Sequence, residues 1–227
     1  MSAIATRLAE IQDRIERART VAGAGAVELV GVTKLHPPEA IEAALAAGLV
    51  AFGENYAQEL ADKRARLTDP RLRWHMIGPV QSNKAKRVVG CTLVHTVDRP
   101  SIIGALDRHA APMRQEVLVQ VNVTAEPGKS GVLPAGLAEL LDAFAPCTSV
   151  VCVGLMLIPR PGPDDALREQ FQALRRLRDE HAARARTNIE LRELSMGMSD
   201  DFELAIAEGA TIVRVGTAIF GARASAH

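Results

Sequence analysis

Ile4, Leu8, Ile11 and Ile15 recur at helical spacing, which predicts an amphipathic helix over residues 2–20. Beyond it, short apolar runs alternate with longer amphipathic stretches. The runs predict strands at 29–33, 49–52, 73–77, 92–96, 116–123, 150–157, 191–195 and 211–215. The stretches predict helices near 38–47, 54–66, 80–89, 100–110, 134–145, 164–184 and 200–208. Leu167, Phe171, Leu174 and Leu177 draw a clear stripe along the penultimate helix. Strands alternating with helices predict a parallel sheet covered on both faces. The strand count favours a closed (β/α)8 TIM barrel with an extra N-terminal helix over an open doubly wound sheet. No linker or repeat divides the chain, so residues 1–227 are expected to form one α/β domain. The segment Pro159-Arg160-Pro161-Gly162-Pro163 reads as a strand-to-helix loop, not a boundary.

Charge adds little direction of its own. The 27 basic and 27 acidic residues balance, which removes the long-range field that nucleic acid or an anionic membrane requires. Aromatic residues make up only 3%, too few for a base-stacking platform. No apolar run is long enough to span a membrane, and no basic segment followed by an apolar stretch opens the chain. Cys91, Cys147 and Cys152 match neither a CxxC nor a zinc spacing. An odd cysteine count without a framework fits a reducing cytoplasm. The expected protein is a cytoplasmic monomer without metal, nucleic-acid or membrane partners.

In such barrels, functional side chains gather where the strands end. The chemistry-bearing residues here fall at those positions. Lys34 follows the first strand, Glu54 and Asn55 the second, and His75 lies near the end of the third. Asn122 and Met156 end the fifth and sixth. Ser195-Met196-Gly197-Met198-Ser199 and Arg214-Val215-Gly216-Thr217 follow or end the last two. Lys34 shares parity with Val30 and Val32, so valines filling the barrel would aim the lysine at its mouth. Desolvation there would lower the amine's pKa and free it as a nucleophile. The alternative is a surface lysine that merely closes a strand. Gly216 and Thr217 occupy the place after strand eight where barrel phosphate sites form, and Ser199 precedes a predicted helix whose first amides could meet an anion. Ser199 could equally be a helix cap, and Asp200 and Asp201 must point away from any phosphate. A lysine amine facing a phosphate cradle is what a Schiff base with pyridoxal phosphate needs.

Arg214 stands among valines, where a guanidinium needs a partner. That partner is either a structural carboxylate or a pyridine nitrogen. A guanidinium donates but does not readily release its proton, so a pyridine nitrogen beside it would stay unprotonated and the ring would be a poor electron sink. His75 reads as a packed or hydrogen-bonded histidine rather than a general base, since no carboxylate neighbours it in sequence. Residues 81–87, with Lys84, Lys86 and Arg87, read as a solvated basic face, or else a weak anion site. Lys129, on the loop after strand five, reads as part of a mobile loop; it and Lys84 are the further amines that could take an aldehyde.

Taken in order, several segments carry a resemblance. They are Gly31-Val32-Thr33-Lys34, Phe52-Gly53-Glu54-Asn55-Tyr56, Trp74-His75-Met76-Ile77-Gly78-Pro79-Val80-Gln81-Ser82-Asn83-Lys84 and His95-Thr96-Val97-Asp98. They continue with Val121-Asn122-Val123, Lys129-Ser130-Gly131, Gly154-Leu155-Met156, Leu194 to Asp201 and Val213 to Gly221. The chain resembles the pyridoxal phosphate homeostasis proteins, which are similar to the barrel domain of alanine racemase. The resemblance implies that Lys34 carries pyridoxal phosphate as an internal aldimine. It also implies that Ser199, Gly216 and Thr217 hold the phosphate, that Arg214 faces the pyridine nitrogen and that Asn55 lines the ring. Racemases of this kind add a β-rich domain that supplies a catalytic tyrosine, whereas this chain ends seven residues after Phe220 and has Tyr56 as its one tyrosine. The expected function is therefore a cofactor carrier and buffer, with apo-enzymes as recipients, and not a dedicated enzyme. The alternatives are a weak pyridoxal-dependent amino-acid racemase and a cofactor-free Schiff-base aldolase. The tail from Ala222 to His227 carries no motif.

Overall fold

A computed structural model describes residues 2–221; the tail segment Ala222 to His227 lies outside the described residues. Helix α1 (Ala3–Ala22) comes first, capped by Ser2, whose side chain accepts from the Ala5 amide, and closed by Gly23 in the left-handed region. Eight strands then alternate with helices: β1 (Glu28–Val32), α2 (Pro38–Ala46), β2 (Ala51–Glu54), α3 (Ala57–Arg66), β3 (Arg73–Met76), α4 (Ala85–Val88), β4 (Leu93–Val97) and α5 (Pro100–Ala110). The second half continues with β5 (Gln115–Gln120), α6 (Leu137–Asp142), β6 (Val150–Met156), α7 (Asp164–Ala182), β7 (Ile189–Ser195), α8 (Phe202–Ala207), β8 (Ile212–Val215) and a last turn of helix, α9 (Thr217–Phe220). Short 3-10 turns at Ser82–Lys84 and Pro134–Gly136 lead into α4 and α6.

The strands pair in parallel, each with its sequence neighbour, and β8 pairs back onto β1, so the sheet is a closed barrel. This is the (β/α)8 architecture that the alternating pattern predicts, with α1 as the extra helix. Alternation along the strands divides the apolar side chains into two cores. Val30, Ala51, Leu93, Leu118, Val151, Val153, Met156 and Ile212 fill the barrel interior. A larger set that includes Phe52, Val94, Leu155, Leu194 and Val213 packs outward against the helices. α1 lies on α8 and α9, where Arg14 forms a two-pronged ion pair with Glu203 and Arg7 donates to the Ile219 carbonyl.

The second strand begins two residues later than its apolar pattern predicts. Gly48 adopts a φ of 99°, and the Leu49 amide donates back to the Ala44 carbonyl. Leu49 therefore closes α2 instead of opening β2, a helix ending that glycine makes available. Strand five stops at Gln120, and Val121 makes only an isolated bridge to Val132. No helix of the described residues is long and apolar enough to cross a membrane. Nor does any group of three His, Cys, Asp or Glu side chains among them stand ready to hold a metal ion.

Candidate functional site

Lys34 does not continue the strand. β1 ends at Val32, and residues 33–36 form a turn closed by the His36 amide on the Thr33 carbonyl, with Leu35 at φ 62°. Strand parity therefore does not set the lysine's direction; the residues on either side of it do. The Thr33 hydroxyl donates to Glu54 Oε1 at 2.6 Å, and Lys63 Nζ donates to the Thr33 carbonyl at 2.8 Å. Beyond the lysine, the Leu35 amide donates to Glu59 Oε1 at 2.7 Å. Lys63 links these anchors, with its amine 2.8 Å from Glu54 Oε1 and 2.7 Å from Glu59 Oε1. Glu54 and Lys63 are both buried. Burial pushes the Glu54 carboxyl above its usual range, and hydrogen bonds from Lys63 and Thr33 pull it back. Lys34, half-buried, thus projects from a turn fixed on both flanks.

Glu54 itself is not a rim residue. Its parity matches Phe52, so its side chain points away from the barrel interior toward α3. Asn55 does lie at the rim, just past β2, with Gly78 against its backbone. A Cβ at Gly78 would sit 2.1 Å from the Asn55 carbonyl oxygen.

The glycine-rich segments converge on β8, beside the strand that leads to Lys34. Val32 pairs with Gly53 and Gly31 with Val215, so the ends of β8, β1 and β2 adjoin. Gly216 follows directly, and a Cβ there would approach the Val32 side chain to 3.2 Å. Thr217 opens α9 and is exposed, with the first amides of that turn lacking acceptors within it. The Gly197 carbonyl accepts from the Arg214 amide, which ties the Gly197–Ser199 loop to β8. Gly197 has a φ of 96° and lies so close to α8 that a Cβ would be 2.7 Å from that of Ala205. Ser199 is half-buried in a turn rather than at a helix cap; the cap position of α8 is Asp201. Asp201 Oδ1 accepts from the Met198 amide at 2.6 Å, and Asp200 is exposed.

Arg214 is buried inside the barrel mouth, on the same parity as Ile212. Its Nη1 donates to Ser195 Oγ at 2.5 Å and its Nη2 to the Leu157 carbonyl at 2.9 Å. Neither partner is charged, and among the described residues no carboxylate lies within ion-pair distance. The structural salt bridge is therefore not its explanation. Burial draws the guanidinium down to about 10, and the charge of Asp201 offsets part of this. Among the described residues these two bonds use two of its five N–H donors. Below Ser195 lie two buried histidines. His95 Nδ1 is 2.9 Å from Ser195 Oγ, and its Nε2 is 3.0 Å from His75 Nδ1. His75 is therefore hydrogen-bonded, as the sequence suggests, but it lies in the barrel interior and not at the rim. Burial first, then the charge of Arg73, pushes His75 down to about 3. Burial, His75 and Arg214 together hold His95 well below the ordinary histidine value. Both rings are neutral at pH 7.

The remaining rim residues play quieter parts. Asn122 is buried and folds the following loop onto itself, donating to the Glu126 carbonyl and accepting from the Glu126 amide. Lys129 lies on this tied-down loop, 3.8 Å from Glu126 Oε2. Lys86 and Arg87 are exposed, as a solvated basic face requires. Sequence reasoning missed Lys63 and Glu59, although their four-residue spacing on a helix was a usable signal. It marked the segment that holds His95 but missed its contacts with Ser195 and His75. Chemically, the rim offers a half-buried primary amine in the turn after β1 and a buried donor-only cation on the adjoining β8. The glycine-lined loops between them let a ligand approach the backbone closely.

A closed barrel with a lysine after its first strand and glycine loops after its last two defines a class. The family described as "Alanine racemase, N-terminal domain" matches residues 6–224. The chain is 45% identical to a pyridoxal phosphate homeostasis protein of Pseudomonas aeruginosa, over 98% of this chain and 97% of that one. PipY of Synechococcus elongatus, solved with PLP bound, superposes with a TM-score of 0.84 at 38% identity, over 96% of this chain and 100% of that one. Alanine racemase from Corynebacterium glutamicum shares the fold, with a TM-score of 0.68 at 19% identity, over 99% of this chain and 62% of that one. The chain belongs to the pyridoxal phosphate homeostasis protein family, within the wider group built on the alanine racemase barrel.

Proposed function

We propose that this protein binds pyridoxal 5'-phosphate covalently through Lys34 and acts as an intracellular carrier and buffer of that cofactor. The observation that carries the reading is Arg214, a buried cation with neutral partners and spare donors, on the strand beside the Lys34 turn. A buried guanidinium left in this state fits an aromatic nitrogen acceptor. The glycine approach at Gly216 fits a group held by backbone and hydroxyl donors. The cofactor supplies an aldehyde that a lysine amine captures reversibly.

In this reading the chain's own residues divide the work. Glu54, Lys63 and Glu59 hold the turn that presents the Lys34 amine. Ser199, Gly216 and Thr217 hold the phosphate through hydroxyls and backbone amides. Asn55 lines the ring. Arg214 donates to the ring nitrogen, and its positive charge disfavours adding a second one there. Without a protonated ring, negative charge developing on a bound amino acid is poorly stabilised. The chain's one tyrosine, Tyr56, is 53% exposed, a poor setting for a buried catalytic base. Apo-enzymes that need the cofactor are its recipients.

Negligible α-proton exchange is therefore expected when the loaded protein is given amino acids in deuterated water and followed by proton NMR. Rapid exchange with one particular amino acid would replace the carrier with a racemase. Absence of a visible cofactor band after equilibration with pyridoxal phosphate would remove the cofactor altogether and favour the aldolase chemistry.

A further inference from the structure

Four side chains from β3, β4, β7 and β8 form a continuous polar line through the barrel interior: His75, His95, Ser195 and Arg214. Their hydrogen-bond directions follow from one fact. Arginine has donors only, so Ser195 Oγ must accept from it. The serine proton then needs an acceptor, and His95 Nδ1 is the one within reach among the described residues. Accepting at Nδ1 places the His95 proton on Nε2, which donates to His75 Nδ1. That places the His75 proton on its own Nε2. The line ends there, 3.9 Å from Glu28 Oε2, whose other oxygen pairs with Arg73 at 2.7 Å. The direction therefore runs one way, from the rim to the base of the barrel.

We infer that Ser195, His95 and His75 are positioning residues that hold Arg214 in a single orientation toward the ring nitrogen of the bound cofactor, a role that rests on the function proposed above. A neutral His95 is a condition of the device, because an imidazolium would donate at Nδ1 and leave the Ser195 proton without an acceptor. The charged groups facing the line are Arg73 and Glu28 at its base, together with Asp201 near Arg214. Arg73 opposes protonation of His75 and Arg214 that of His95, while Glu28 faces His75 alone. With Ser195 and the Leu157 carbonyl each holding one terminal nitrogen, the guanidinium plane cannot turn, and its remaining donors keep one direction. Without His95 as its acceptor, the Ser195 hydroxyl is free to turn and loosens its hold on Nη1, so the guanidinium swings away and leaves the ring nitrogen open to protonation.

The test has a ligand-free arm and a loaded arm. In the apo protein labelled with 15N-histidine, NMR should show His95 and His75 as neutral tautomers, each protonated on Nε2, from pH 5.5 to 8. A proton on His95 Nδ1, or an imidazolium signal from either ring at pH 6.5, would overturn the inferred direction. In the loaded arm, 15N-pyridoxal phosphate reports the ring nitrogen. The signal should move toward the protonated position in His95→Leu, which cannot accept from Ser195. It should stay at the wild-type position in His95→Gln, which can accept from Ser195 and donate to His75. Val153→Ala, a change elsewhere in the barrel core, should lower the melting temperature without moving the signal. An unmoved ring-nitrogen signal in His95→Leu would reduce the line to a structural role. If His95→Leu does not fold, a protonated ring nitrogen in the wild type or in His95→Gln overturns the positioning role. If no cofactor binds, the functional reading fails, while the tautomer measurement still decides the line's direction.

Discussion

Replacing Lys63 with methionine should destabilise the protein by about 3–5 kcal/mol at pH 8, the usual consequence of stranding one member of a buried ion pair. The Lys63 amine serves three acceptors: the Thr33 carbonyl, Glu54 Oε1 and Glu59 Oε1. Its removal leaves the buried Glu54 carboxylate with only the Thr33 hydroxyl as partner. The Glu54 carboxyl, already raised by burial, would rise further in the folded variant. A folded-state value above the unfolded one means that the folded form gains from protonation. The loss should therefore shrink as the pH falls from 8 to 5, and chemical denaturation at several pH values would measure it. A loss below about 1 kcal/mol that ignores pH would show that the pair does not anchor the Lys34 turn. The same variant should weaken cofactor capture, because Thr33 loses a contact immediately before the lysine.

Removing both hydroxyls at the phosphate loops should separate two ligands that differ only in the phosphate. A hydrogen bond to a charged group contributes about 1.5–3 kcal/mol. Ser199→Ala with Thr217→Ala should therefore cost about 3–6 kcal/mol of pyridoxal phosphate binding, or roughly a hundred- to ten-thousand-fold in affinity. Pyridoxal, which lacks the phosphate, should bind the variant about as it binds the wild type. Backbone donors around Gly216 remain in the variant, so binding is weakened and not abolished. Titration calorimetry with the two ligands measures the difference. Equal losses for both would remove Ser199 and Thr217 from the phosphate site.

The parts of this arrangement that were legible in the sequence are those written locally. Continuous apolar runs between amphipathic stretches predict eight parallel strands, and Lys34, Asn55, Arg214 and Gly216 lie close to the ends or mouth positions that such strands define. What escaped depends on pairing across the fold. Glu54 sits in a sequence position that suggests the rim, yet strand parity turns it outward onto α3, where Lys63 waits nine residues later. The Lys34 direction could not come from alternation, because a turn begins at Thr33. Leu49 and Val50 look like strand residues, but the left-handed Gly48 draws Leu49 into the end of α2. His95 and Ser195 lie in segments 100 residues apart, and nothing in either segment points to the other; only barrel closure makes them neighbours. Long-range polar contacts of this kind leave no periodic trace, whereas burial of apolar faces does.

The account stands on Lys34 as the amine that captures the cofactor. Incubating the wild-type protein with pyridoxal phosphate, reducing it with borohydride and mapping the labelled peptide by mass spectrometry tests that directly. The pyridoxyl group should be found on Lys34, and the Lys34→Ala variant should lose it along with the visible absorption band. Labelling confined to Lys129 or Lys84, with Lys34 unmodified, would contradict the account.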